Sequence, residues 1–185
     1  MEELNGEIRG LLIQGEVVIP SIDDSRKIYS LGFYGKPIGI DKPRGANFDV
    51  PLKLSLIEAL YLLEKGIIKI STLEGSEVSV DELKRVMEES KRFKMLYKVY
   101  RDLRDRGLVV RPGLKFGADF TVYREGPGLE HAPFIVHVYP FDSEIDPTEL
   151  VRAGRLSHSV RKTFILATST PSGKIQYITF KWYKP

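Results

Sequence analysis

The chain has 185 residues, 42% hydrophobic and 29% charged, and its 28 Lys and Arg against 25 Asp and Glu leave a net charge of +3. That length builds one large domain or two small ones, and the absence of Cys excludes disulfides and cysteine-ligated zinc. No apolar run approaches the roughly 20 residues that span a bilayer, and the MEELNGE start is acidic where a secretory signal is basic and then apolar, so a soluble, cytoplasmic protein is expected.

Residues 7–19 (EIRGLLIQGEVVI) are β-rich and broken by Gly10 and Gly15, which predicts a hairpin or two short strands. Residues 21–32 predict a short helix with Asp23 and Asp24 in its first turn. As sequence neighbours these two point in different directions, which suits a helix N-terminus better than a metal pair. Residues 36–49 hold Pro37, Pro43, Gly39 and Gly45 without any period and read as a loop carrying Lys36, Lys42 and Arg44. It is either a solvated connector or an arm toward phosphates, since loops this long are often functional. Ser55 and Glu58 form a capping box for a helix over 55–65 with Gly66 as its stop, and Leu56, Ala59, Leu60 and Leu63 give it an apolar stripe. A short strand follows at 67–70, and a second box, Ser79 with Glu82, opens a helix that ends near Ser90. A boundary is expected there: a first domain over 1–90 and a second over 91–185.

Residues 92–106 are the clearest helix. Phe93, Leu96, Tyr97, Tyr100 and Leu103 fall on one face, while Lys94, Lys98, Arg101, Arg104 and Arg106 take the others. The basic face is either solvated, with Asp102 and Asp105 as helix partners, or a phosphate contact. Strands dominate from Leu108. LVV, GLKFG and DFTVY are followed by a glycine-containing turn and by APFIVHVY, whose apolar residues alternate at period two. Asp146, Pro147 and Glu149 supply N-cap, N1 and N3 of a helix running to about Val160. Lys162 opens the strand TFILATS, and a Pro171–Gly173 turn leads into IQYITFKWY. The fold class is therefore α+β: a small helix-and-sheet domain, then a mixed sheet flanked by helices.

Within the second half Tyr123, His131 and Lys162 combine a phenol, an imidazole and an ammonium. Tyr123 ends one strand, His131 precedes another and Lys162 opens a third, so all three can gather at one end of the sheet, where loops carry function. Such a set suits proton transfer beside a phosphate: one group takes a proton, one gives a proton, and one holds positive charge. Phenols ordinarily titrate near 10, so a tyrosine base needs positive charge nearby.

FGADFTVY, the nearby His131, HSVRK before an apolar strand and the terminal WYKP are similar to the catalytic half of the archaeal tRNA splicing endonucleases. That resemblance implies roles: Tyr123 as general base, His131 as general acid and Lys162 as stabiliser of transition-state charge. It implies a precursor tRNA substrate cut at a bulge-helix-bulge without metal or other cofactor. Arg155 and Trp182 would clamp a bulged base, Trp182 being alternatively a core or interface aromatic. The 36–49 loop resembles one in the crenarchaeal branch that contacts RNA, making Lys42 and Arg44 candidates for binding. The acidic loop 141–146 is either solvated or inserts into a neighbouring subunit. The family forms homotetramers and heterotetramers with a non-catalytic sister subunit, and the extra loop favours the heterotetramer.

Two rivals use the same residues differently. A metal-dependent nuclease would draw ligands from Asp119, Glu130 or Asp142, and a non-catalytic RNA-binding subunit would need no intact Tyr–His–Lys set. His137 lies among apolar strand residues and reads as structural, whereas His158 and Ser159 read as helix-end packing or phosphate contacts.

Overall fold

Among the described residues two sheets organise the chain, each with a single parallel pair of strands among antiparallel neighbours. The computed structural model describes residues 7–88, 90–159 and 161–180. Contacts divide the chain into two units, Met1–Ser90 and Lys91–Pro185. Among the described residues no helix is long and apolar enough to cross a membrane.

In the first unit β1 (Ile8–Ile13) turns back into β2 (Glu16–Ile19) through Gln14 and Gly15. Both have positive φ, 49° and 79°, as a two-residue hairpin turn requires. The sheet order is β3-β4-β2-β1-β5-β6, with β3 (Lys36–Pro37), β4 (Leu52–Ser55), β5 (Ile68–Ser71) and β6 (Glu77–Val78). β1 and β5 are the parallel pair. The strands β3, β4 and β6 were not expected from the sequence; at two to four residues they carry too little periodicity to stand out. β3 therefore trims the predicted 36–49 loop at its start.

Helix α1 (Ile22–Gly32) is capped by Ser21, whose hydroxyl accepts the Asp24 N–H at 3.2 Å. Asp23 and Asp24 pair with Arg26 and Lys27 one turn on, at 3.8 and 3.2 Å. Helix α2 (Leu56–Glu64) has the expected box: Ser55 Oγ accepts from Glu58 N, and the Glu58 carboxylate accepts Ser55 N at 3.0 Å. Such a box is worth about 1 kcal/mol. Glu58 is buried all the same, because its other oxygen accepts Gly35 N at 2.8 Å. The predicted stripe is too narrow, since Tyr61 and Leu62 are buried with Ala59 and Leu60 while Leu56 and Leu63 are half-buried. Helix α3 (Val80–Glu88) opens on the second box, with Glu82 accepting Ser79 N at 2.8 Å.

The second unit runs α4 (Lys91–Asp105), β7 (Val109–Pro112), a 3₁₀ turn (Leu114–Phe116), β8 (Phe120–Tyr123), β9 (Phe134–Val138), α5 (Pro147–Ser159), β10 (Thr163–Ser169) and β11 (Ile175–Phe180). Its sheet order is β11-β10-β9-β8-β7. β9 and β10 are parallel, so the chain must cross back between them, and α5 lies in that crossover. Asp146 caps α5 as expected, accepting Thr148 N at 2.8 Å.

Helix α4 buries Tyr97, Tyr100 and Leu103 as its spacing predicts. Arg104, read from sequence as part of a basic face, is instead only 6% exposed. Its guanidinium donates to Val110 O and Tyr100 Oη at 3.0 Å each, which gives the buried group acceptors in place of water. Arg106 is bound to Asp102 at 2.8 Å, and the same carboxylate accepts the Tyr177 hydroxyl of β11 at 2.6 Å. Burial and that carboxylate together push the Tyr177 pKa upward.

His137, on β9, is half-buried and meets the Phe164 ring edge-on at 5.2 Å, as a structural histidine should. Burial lowers its pKa below the usual 6.5, against the opposing pull of Asp119 and Glu149. The unfolded chain then binds this proton more tightly than the folded one. Stability from this group is fully present above the unfolded value and is lost as pH falls through the folded one. The urea midpoint should therefore decrease from about pH 7 to about pH 5, and His137→Gln should flatten that decrease.

Candidate active site

Strand direction alone places the three predicted residues at one end of the sheet. Val122 pairs with Phe134, and Phe134 with Thr163, so β8, β9 and β10 lie side by side in one row. β8 runs antiparallel to β9, so it finishes where β9 starts, and β10, parallel to β9, starts there too. Tyr123 is the last residue of β8, His131 lies three residues before β9, and Lys162 lies one residue before β10. At about 4.8 Å between strands, the backbones of Tyr123 and Lys162 are about 10 Å apart with the approach to β9 between them. Thr163 N donates to Pro133 O at 2.8 Å and extends that row to the sheet end.

Each group has its own support. Tyr123 is half-buried and pairs with Val109 of β7. His131 is exposed. Lys162 is half-buried, and its ammonium donates to Ala132 O at 2.5 Å, next to the histidine. Between Tyr123 and His131 the chain folds on itself: Gly126 O accepts Leu129 N and Glu130 N at 3.2 Å each. The Glu130 carboxylate accepts Arg124 N and Glu125 N.

The turn before β8 adds two residues that sequence reasoning missed. Lys162 Nζ stands 5.1 Å from the centre of the Phe116 ring, and Lys115 Nζ stands 6.0 Å from the same ring. Neither lysine is paired with a carboxylate among the described residues. Burial lowers the Lys162 pKa from its usual 10.5, and the nearby Lys115 charge lowers it further. The turn is closed by Gly113, which donates to Asp119 O and accepts from Phe116 and Ala118. A Cβ there would lie 2.8 Å from Ala118 O. The LKFG word carried a signal, an aromatic between a lysine and a glycine just ahead of a strand, but nothing local shows which strand it meets.

The remaining predicted residues divide. Arg155 is exposed on α5, and Trp182 lies outside the described residues. His158 and Ser159 are on α5, at its C-terminal end. Lys42 and Arg44 are exposed in the first unit on a loop anchored by buried Phe48, whose carbonyl accepts Arg26 Nε at 2.9 Å. Lys36, the third cation of that loop, is paired with Asp41 at 2.5 Å. In the acidic loop Phe141 is 53% exposed. The residues offered to a metal are apart: Asp119 accepts Val138 N and Arg92 before β8, whereas Glu130 lies beyond its other end. Among the described residues no three His, Asp or Glu side chains gather to hold an ion.

Comparison with known sequences identifies the family. Residues 93–177 match the tRNA intron endonuclease catalytic C-terminal domain, and residues 8–84 match the N-terminal domain of the same family. The chain is 57% identical over 180 residues to the tRNA-splicing endonuclease of Hyperthermus butylicus, covering 96% of this chain and 99% of the relative. It is 50% identical over 183 residues to that of Saccharolobus solfataricus, with the same coverage, and 48% over 180 residues to that of Saccharolobus islandicus, again with the same coverage.

The pair of ammoniums around Phe116 gives a direct test. In Lys115→Ala the Lys162 side chain, followed by NMR, should titrate at higher pH than in the parent. No movement would show that burial alone sets its value.

Proposed function

The chain belongs to the tRNA intron endonuclease family and is an endonuclease that cuts introns from tRNA, and from this we propose that it cuts bulge-helix-bulge sites by metal-independent attack of the RNA's own 2′-hydroxyl. The observation that carries this reading is the meeting of Tyr123, His131 and Lys162 at one end of three adjacent strands. RNA supplies the nucleophile, so the protein needs only to move two protons and offset charge. Tyr123 removes the 2′-hydroxyl proton. The 2′-oxygen attacks phosphorus, and the bond to the 5′-oxygen of the next nucleotide breaks. His131 gives that oxygen its proton. Lys162 offsets the added negative charge on the phosphate oxygens. The products are a 2′,3′-cyclic phosphate and a 5′-hydroxyl, and no cofactor takes part.

The second unit, 91–185, then acts as the catalytic domain. Arg155 and Trp182 hold a bulged base between them; stacking of this kind is worth about 1–3 kcal/mol. Lys42 and Arg44 reach RNA phosphates, a use supported by their exposure. The working assembly is a tetramer, and a heterotetramer with a non-catalytic sister subunit is favoured over a homotetramer because of the extra loop. The acidic segment 141–146 serves as an inter-subunit contact.

A 2′-deoxy nucleotide placed 5′ to the scissile bond should abolish cleavage and leave binding nearly intact. His131→Ala should slow the reaction about 10²–10⁴-fold, and a 5′-thio leaving group, which needs no protonation, should recover part of that loss. Tyr123→Phe should slow the natural substrate without such recovery, since it acts on the other oxygen. Cleavage of the 2′-deoxy substrate, or strict dependence on Mg²⁺, would show that an activated water attacks instead.

A complementary measurement addresses assembly. The purified chain should lack full activity alone and gain it when a sister chain is added. Full activity as a tetramer of one chain would establish the homotetramer.

A further inference from the structure

We propose that Glu130 is a positioning residue for His131, an inference that rests on reading His131 as the general acid. His131 lies outside every strand and is exposed, so neither ladder pairing nor burial fixes it. Its two neighbours are fixed instead. On one side Ala132 is buried, and its carbonyl accepts the Lys162 ammonium at 2.5 Å. On the other side the Glu130 carboxylate accepts the backbone N–H groups of Arg124 and Glu125, the latter at 2.7 Å. Those are the two residues that directly follow Tyr123. Gly126 O holds the Glu130 backbone within the loop, and the carboxylate ties that loop to the end of β8, which sets the approach to the acid relative to the base.

The chemistry of that contact shapes what each substitution does. A single oxygen, Oε1, accepts both N–H groups. The amide carbonyl of Gln can do the same, although without the extra strength that charge gives a hydrogen bond. An alanine leaves both donors open, but Arg124 and Glu125 are exposed, so water can satisfy them. Little stability should be lost. Tyr123 is held independently by its ladder pairing with Val109, so loss of the carboxylate falls on the histidine rather than the tyrosine.

The test is single-turnover cleavage of precursor tRNA by the full chain in its active assembly, with Glu130→Ala, Glu130→Gln, His131→Ala and Tyr123→Phe in parallel. Glu130→Ala should cut the rate about 10- to 100-fold, the scale of a misplaced catalytic group. Its KM should change less than about threefold and its melting temperature little. Glu130→Gln should keep most of the parent rate. A 5′-thio leaving group should recover Glu130→Ala as it recovers His131→Ala, while Tyr123→Phe stays slow. The proposal falls if Glu130→Ala cleaves at the parent rate, if the thio substrate does not recover it, or if the glutamine variant is as slow as the alanine. If His131→Ala is itself fast, or is not recovered, the acid assignment falls and this role falls with it.

Discussion

Parallel pairing of β9 with β10 is the constraint on which the site depends. Phe134 beside Thr163 fixes the two strands in direction as well as register. A parallel pair cannot be joined by a tight turn, so the chain must travel back the length of the sheet, here through α5. That return makes two segments about thirty residues apart in sequence start at the same end of the sheet. An antiparallel pair would have sent Lys162 to the far end from His131. β8 then completes the arrangement by ending there.

Charge is handled differently at the two ends of this sheet. Where β9 finishes, Arg92 and Asp119 are joined to each other and to the Val138 backbone, N–H and carbonyl both. Those charges hold the fold together. Lys162, at the other end, and Lys115, on the turn before β8, have no carboxylate partner among the described residues and share one aromatic ring. Two like charges held close repel, and an anion placed between them relieves that repulsion. A phosphodiester has that charge.

What the sequence made legible follows from the range of each signal. Capping boxes act over three residues, so Ser55–Glu58 and Ser79–Glu82 announced their helices correctly. The alternation in 132–139 and the placement of residues 123, 131 and 162 at one end of the sheet were also visible. The short strands β3 and β4 were not, because their stability comes from neighbours such as β2 rather than from their own pattern. Arg104 looked like part of a solvated face until its partners, Tyr100 and Val110 O, came within reach. Phe116 stood in a recognisable word, but its contact was out of reach for the same reason: it is made to a lysine forty-six positions later.

Gly113 sets a limit of another kind. The atoms that a side chain there would strike belong to the backbone of Ala118 and Phe120, not to a neighbouring side chain. A crowded side chain can be trimmed by a second substitution elsewhere, so most tight spots leave evolution a way around. Backbone cannot be trimmed. The turn that presents Phe116 to Lys162 is therefore shut to sequence drift at Gly113, however freely the exposed Leu114 beside it changes.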